Sequence, residues 1–158
     1  MTCVAGIDPG KTGGLSIIYP DGSVVVRRVP VMKLRGKERP AWTEWARDWN
    51  SAIYLASPDL IVIEEVSARP GQGVTSMFNF GQNLGFVRAL AAISSARVET
   101  VTPSKWKGKL GLLKSDKNAS RELARQLYPA ATAEFARVKD DGVAEATLLA
   151  NYGLNFLA

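Results

Sequence analysis

The sequence contains no histidine and only one cysteine, and both shortages restrict the chemistry open to it. The lack of histidine excludes Ser-His and Cys-His catalysis, histidine general bases and histidine-ligated zinc. With Cys3 as its only cysteine, the chain forms no internal disulfide, which is typical of proteins from a reducing compartment. Any reaction must therefore use carboxylates, lysines, hydroxyl groups or bound ions.

Long apolar runs are absent as well, since none approaches the ~18 residues that a membrane span needs. No signal peptide is recognisable, so we expect a cytoplasmic protein of a bacterium or phage-infected cell, without membrane contact. The 158 residues are 46% hydrophobic and 22% charged, which predicts one globular domain over residues 1–158. Twenty Lys and Arg against fifteen Asp and Glu give a net charge of +5, compatible with a polyanionic partner.

The first apolar run ends in a single carboxylate, Asp8, and a glycine-rich turn follows it. A second apolar run covers residues 15–19, after Pro9-Gly10 and Gly13-Gly14. This pattern predicts a hairpin with Asp8 at its open end. A carboxylate that closes a buried strand is costly unless a cation meets it. A metal ion and the phosphates of a nucleotide near the turn are the two candidate ligands here.

The remaining pattern predicts a mixed sheet with helices packed against it. A third strand, residues 24–29, continues an antiparallel meander, and residues 30–40 form a basic linker, interpreted as a solvated loop. Further predicted strands cover residues 60–66 and 97–101, and predicted helices cover residues 41–56, 80–95, 115–128 and 140 to about the end. The fold class is therefore α/β, with five strands of which the first three are antiparallel.

Carboxylates cluster at one predicted edge of this sheet. The fourth strand ends in Glu64 and Glu65, and if it runs parallel to the first strand, one of them lies beside Asp8. The last helix carries Asp141 and Glu145, four residues apart and therefore on one face. An environment with only oxygen ligands favours Mg²⁺ or Mn²⁺.

Each acid also has an ordinary structural explanation. Asp8 would cap its own turn, and Glu65 would be exposed to solvent. Asp140 and Asp141 are placed to act as an N-cap and to favour the helix dipole.

Three segments together resemble the RuvC family of Holliday junction resolvases, within the ribonuclease H-like superfamily: Gly6-Ile7-Asp8-Pro9-Gly10, Val62-Ile63-Glu64 and Asp140-Asp141-Gly142-Val143-Ala144-Glu145-Ala146. Residues 80–85, 103–107 and 114–117 also resemble segments of that family. The last motif is similar to that of the phage and organelle branch of the family, which has Asp-Gly-x-Ala-Glu-Ala in place of a pair of aspartates three residues apart. Among Asp140, Asp141 and Glu145, we expect Asp141 and Glu145 to be the ligands.

The resemblance implies a ribonuclease H-like fold and a homodimer that nicks four-way DNA junctions symmetrically with two divalent ions, Mg²⁺ or Mn²⁺, per site. It implies Asp8, Glu64, Asp141 and Glu145 as metal ligands and catalytic residues. Two lysines at matching positions, Lys117 and Lys107, are the candidates for stabilising charge on the reacting phosphate.

Cationic segments and one aromatic residue are the predicted DNA contacts. Phosphate contacts are predicted for Lys105, Lys107, Lys109 and Lys114, and also for Lys33, Arg35, Lys37 and Arg39 of the linker. Among Met77, Phe78 and Phe80, Phe78 is the predicted wedge into the junction centre. Trp106 is predicted to pack on the fold rather than stack on a base.

Other function classes remain open at this point. A nucleotide-binding protein of the actin and sugar-kinase type also has a glycine-rich turn after its first strand. A noncatalytic junction-binding module is a second alternative. A nuclease that acts on replication forks, R-loops or RNA–DNA hybrids is the third, because fold does not determine substrate.

Overall fold

The computed structural model describes residues 2–158, except for the side chain of Lys117. Within this part the strands are β1 (Val4–Asp8), β2 (Gly14–Ile18), β3 (Val24–Arg28), β4 (Val31–Leu34), β5 (Lys37–Pro40), β6 (Leu60–Glu64) and β7 (Arg97–Val101). The helices are α1 (Trp42–Ala56), α2 (Val74–Ala92), α3 (Pro103–Lys109), α4 (Lys117–Leu127) and α5 (Asp141–Phe156). Two 3₁₀ segments, Pro129–Phe135 and Val138–Asp140, join α4 to α5. None of the described helices is long and apolar enough to cross a membrane.

Five strands form one mixed sheet in the order β3-β2-β1-β6-β7. β1, β2 and β3 are antiparallel, whereas β6 is parallel to β1 and β7 is parallel to β6. This confirms the predicted fold class. Ile7 pairs with Ile63, so the residues that follow them, Asp8 and Glu64, end neighbouring strands at the same edge.

Alternate residues of the central strands fill two cores, one on each face of the sheet. On one face, Val4 and Val62 pack with residues of α5, such as Leu149. On the other face, Ile7 and Ile63 pack with α1 and α2, where Trp45 and Trp49 are fully buried. The predicted helical stripe of tryptophans is therefore mostly core, while Trp42 at its start is 37% exposed.

Two glycines let α5 approach the first strand and its turn closely. A Cβ atom on Gly6 would lie 2.0 Å from the carbonyl oxygen of Ala146, in the middle of α5. A Cβ atom on Gly142 would lie 1.8 Å from the carbonyl oxygen of Thr12. Because any larger residue would push these backbones apart, the glycines determine how near α5 lies to the end of β1.

Three sequence-based boundaries were wrong. Residues 30–40 are not a loop, because β4 and β5 pair antiparallel and form a hairpin. The two residues of its turn, Arg35 and Gly36, both have positive φ (51° and 74°), as in the tight turns that match strand twist. α2 begins at Val74 rather than Phe80, and α3 forms over Pro103–Lys109, where no helix was predicted. In α2, glycine and polar content concealed a helix start whose first turn is solvent-exposed.

Candidate active site

A cleft of about 720 Å³ opens where β1 and β6 end. Its walls include Asp8 from β1, Glu64 from β6, Glu145 from α5 and Lys107 from α3. Other lining residues come from the loops after β1, β6 and β7, among them Lys11, Thr12, Ser67, Arg69, Gln72 and Thr102. Three of the predicted acids, carried by unconnected elements, thus share one cavity with one of the predicted lysines.

Asp8 is buried at the floor of the cleft, with 9% of its surface exposed. Its Oδ1 accepts a 2.9 Å hydrogen bond from the backbone N–H of Gly10, so the side chain also caps its own turn. Burial, followed by the neighbouring Glu64 and Glu145 carboxylates, raises the pKa of Asp8 to about 7, and the Gly10 hydrogen bond and Lys107 oppose part of that rise. A substantial fraction of the Asp8 carboxyl is therefore still protonated near neutrality, and a cation entering the cleft would favour its ionised form.

Glu64 is buried beside Asp8 and is held by an indole. Trp106 of α3, itself fully buried, donates a 3.0 Å hydrogen bond from Nε1 to Oε1 of Glu64. Burial raises the pKa of Glu64, and the hydrogen bond from Trp106 partly opposes that rise. Glu65, the alternative from the sequence, is exposed at the rim. Trp106 packs on the fold as predicted, but its bond to Glu64 had no signal in the sequence.

Glu145 lies opposite Asp8 and pairs with a lysine. The Nζ atom of Lys107 is 2.8 Å from Oε1 of Glu145, and both side chains are largely buried. The Oγ atom of Ser120 in α4 is 3.5 Å from the same carboxylate oxygen. The Lys107 ammonium also lies 5.1 Å from the centre of the Trp106 ring. The structure therefore places one cation between the acids and the tryptophan.

The adjacent pair Asp140 and Asp141 differ sharply in their surroundings. The buried carboxylate of Asp140 accepts hydrogen bonds from Arg28 and Arg137. Burial would raise its pKa, but the hydrogen bonds from Arg137 and Arg28 outweigh burial and lower the pKa to about 2. Asp140 therefore has a structural role.

Asp141 begins α5, one helical turn before Glu145, and faces an arginine. Its Oδ1 is 3.0 Å from Nε of Arg121, although the two atoms are not aligned for a hydrogen bond, so the contact is electrostatic. Asp141 is not among the residues that line the cleft. The structure therefore brings together Asp8, Glu64 and Glu145 in the cleft, whereas Asp141, the fourth predicted ligand, forms an ion pair with Arg121 outside the cleft lining.

The chemistry of this donor set fits a divalent cation. Among the described side chains, no three Asp, Glu or Cys residues already converge closely enough to coordinate one metal ion. However, Asp8, Glu64 and Glu145 lie near enough to raise the pKa of Asp8, and an entering cation would relieve that repulsion. Carboxylate oxygens without histidine or thiolate are the ligands that Mg²⁺ and Mn²⁺ prefer.

The other predicted contact residues lie outside the cleft. Lys105, Lys109 and Lys114 are exposed and do not line it, and Phe78 is 65% exposed on α2 without reaching it. Phe80, which ranked below Phe78 as the wedge, does line the cleft. The side chain of Lys117 lies outside the described residues.

No protein-family model matches the chain, and no curated protein of similar sequence was found. Solved structures are similar to it. RuvC of T. thermophilus in complex with a Holliday junction substrate has a TM-score of 0.64 at 20% identity, covering 96% of this chain and 92% of that one. The structure of Thermus thermophilus RuvC alone has a TM-score of 0.61 at 21% identity, with 96% and 93% covered.

The fowlpox virus resolvase in complex with Holliday junction DNA is a more distant likeness. It has a TM-score of 0.52 at 15% identity, covering 94% of this chain and 95% of that one. At these identities the likeness establishes the fold, which is the RuvC-like form of the ribonuclease H fold. The resemblance expected from the sequence is thereby confirmed at the level of the fold.

Proposed function

We propose that this chain, whose fold is that of the RuvC resolvases, is a structure-selective endodeoxyribonuclease that resolves four-way DNA junctions. One observation carries the proposal: Asp8, Glu64 and Glu145 arrive from three unconnected elements and line a single cleft. The rigid sheet holds two of these acids at its edge, and the close packing of α5 brings the third.

Asp8, Glu64, Asp141 and Glu145 are the proposed ligands of two Mg²⁺ or Mn²⁺ ions. When bound, such ions neutralise the charge of the phosphodiester and activate the attacking water. To serve as ligands, Glu145 must leave Lys107 and Asp141 must leave Arg121, because each is paired with that cation here.

Lys107 is the proposed partner of the scissile phosphate. Its ammonium projects into the cleft and is released when Glu145 turns away, leaving a cation free for an anionic substrate. Such a group stabilises the extra negative charge that develops on the phosphate in the transition state. Lys117, from the matching family position, is the second proposed lysine.

Two copies of the chain are proposed to act together on one junction as a homodimer. A four-way junction has two-fold symmetry, so paired nicks at symmetric positions require two active sites related by the same symmetry. The solved complexes of similar fold, those of T. thermophilus RuvC and the fowlpox virus resolvase, contain Holliday junction DNA. They support the choice of branched DNA as the substrate class.

The test is cleavage of labelled, immobile four-way junctions, resolved on denaturing gels with Mg²⁺ or Mn²⁺. Asp8→Asn should abolish cleavage while junction binding in a gel-shift assay stays near the wild-type level. Glu65→Gln is the matched control, because it removes an exposed acid next to Glu64 and should cut normally.

Parallel reactions on forks, RNA–DNA hybrids and linear duplexes decide the substrate. Symmetric paired nicks confined to the junction support the proposal. Preferential cutting of hybrids or forks would show that the active site is correctly assigned but the substrate is not. Binding without any cleavage would show that the chain is a junction-binding module. Loss of junction binding in Asp8→Asn would contradict the role assigned to that residue.

A further inference from the structure

A second groove, of about 480 Å³, lies between the β4–β5 hairpin and the first half of α2. We call it the hairpin groove. It is lined by residues of β5, by Trp42 and by polar residues of α2, namely Thr75, Ser76, Asn79, Gln82 and Asn83. Lys11 and Phe80 line both this groove and the catalytic cleft, so the two cavities share a wall.

The hairpin groove has the charge of an anion-binding surface. Lys11, Lys37 and Arg39 line it together with a single acid, Glu38. Within the described part of the chain, none of these three cations forms a salt bridge. Lys37 and Arg39 are two residues apart on β5, so both side chains project from the same face of the hairpin. Successive phosphates of a nucleic-acid backbone match such a row of unpaired cations.

Two aromatic side chains lie in the same groove. Trp42 is held in place by stacking on Trp45, with ring centroids 5.4 Å apart, and by an edge contact to Phe86 at 5.1 Å. It nevertheless keeps 37% of its surface exposed. Phe80 is half-buried at the wall shared with the catalytic cleft. Aromatic rings beside a row of cations are typical of sites for unpaired nucleotides, whose base faces are free to stack.

We propose that the hairpin groove binds a single, unpaired strand of DNA that continues out of the catalytic cleft, with Lys37 and Arg39 on its phosphates and Phe80 against a base. A duplex arm fits less well, because paired bases offer no free face to an aromatic ring. The inference rests on the proposed function for the identity of the nucleic acid. It also assigns base stacking to Phe80, at the junction of the two cavities, instead of Phe78.

The test measures binding without catalysis. Fluorescence anisotropy with fluorescein-labelled dT12 is recorded in EDTA over a series of salt concentrations, for wild type and for the double variant Lys37→Gln/Arg39→Gln. The loss of two phosphate contacts should reduce the slope of log affinity against log salt by about 1.4. The double variant Lys139→Gln/Arg47→Gln removes the same charges from exposed positions outside the groove and should leave the slope unchanged.

A second pair of variants tests stacking. Phe80→Leu should weaken binding of dT12 at least about fivefold, whereas Phe78→Leu, outside both cavities, should not. Melting curves confirm that each variant is folded. Equal salt slopes for the two double variants, or an equal effect of Lys37→Gln/Arg39→Gln on a 12-base-pair duplex, would overturn the inference.

These results are distinguishable from failure of the proposed function. If the wild type cuts junctions while both double variants bind dT12 alike, only the groove assignment fails. If the salt slopes differ as expected but no junction is cut, the groove stands and the resolvase function is wrong.

Discussion

Trp106 and Glu64, forty-two residues apart in the sequence, are joined by a 3.0 Å hydrogen bond from the indole Nε1 to the carboxylate Oε1. Both side chains are buried, with none of Trp106 and 7% of Glu64 exposed. The bond ties α3 to the end of β6 and orients the carboxylate at the edge of the cleft. Hydrogen bonds to charged groups contribute roughly 1.5–3 kcal/mol each.

Trp106→Phe should therefore destabilise the protein and weaken divalent ion binding, because Glu64 loses both its donor and its fixed orientation. The matched control is Trp45→Phe. Trp45 is equally buried, but its indole N–H meets no acceptor among the described residues. In urea unfolding, Trp106→Phe should cost about 1–2 kcal/mol more than Trp45→Phe. Equal costs would show that the bond to Glu64 contributes nothing measurable.

Metal-free protein should lose stability as the pH rises from about 4 to 7. The pKa of Asp8 is about 7 in the folded state against an ordinary 3.8, so the folded state holds this proton more tightly than the unfolded chain. That contribution is complete below pH 4 and is lost as the pH passes through 7, by roughly 4 kcal/mol in all. The pKa of Glu64, also raised, adds in the same direction.

Asp8→Asn should remove most of this dependence. Denaturation in EDTA should find the variant more stable than wild type at pH 8 and not at pH 4, while Glu65→Gln behaves as wild type. Addition of Mg²⁺ at pH 8 should stabilise the wild type and Glu65→Gln but not Asp8→Asn. A wild-type stability that is flat between pH 4 and 8 would contradict the raised pKa of Asp8.

Lys107→Gln should separate metal binding from catalysis. Without the ammonium, Glu145 is free for an ion, so Mn²⁺ should bind several-fold more tightly in calorimetric titration. Single-turnover cleavage should nevertheless fall about 100-fold, because the phosphate loses a charged donor. Lys139→Gln is the control, since Lys139 is exposed and lies outside the cleft. Unchanged cleavage by Lys107→Gln would remove Lys107 from the mechanism.

Gly142→Ala should be among the most damaging single-methyl substitutions in the chain. The added Cβ atom would lie 1.8 Å from the Thr12 carbonyl oxygen, which forces α5 away from the turn after β1, at a cost of about 3 kcal/mol. Gly85→Ala is the control, because its Cβ atom meets no neighbour within 4 Å and favours the α2 helix by up to about 1 kcal/mol. Thermal melting of both variants measures the difference, and similar melting temperatures would contradict the tight packing.

The sequence was informative where a residue's environment depends on its near neighbours. Asp8 and Glu64 could be identified because each ends an apolar run, and an apolar run by itself indicates a buried strand. The intervening helical stripe predicted that β6 returns parallel to β1. These local patterns were enough to predict the sheet and the edge at which the acids meet.

Distant partners were beyond the reach of the sequence. Asp140 and Asp141 are adjacent and similar, and they differ in their partners: Arg28, 112 residues away from Asp140, donates to Asp140, whereas Asp141 pairs with Arg121. The hairpin of β4 and β5 was hidden because each strand has only four residues and almost all of them are exposed, so neither shows an alternation of buried and exposed positions. The position of Phe80 in two cavities likewise depends on how α2 lies against that hairpin.

Because α5 packs against the turn after β1, the cleft is complete only after this last helix has been synthesised. α5 follows every strand in the sequence, so during translation the sheet edge with Asp8 and Glu64 emerges from the ribosome well before Glu145 is made. Until that last helix docks through Gly6 and Gly142, the third acid is missing and the cleft has no far wall. An unfinished chain therefore carries two of the acids without the complete site.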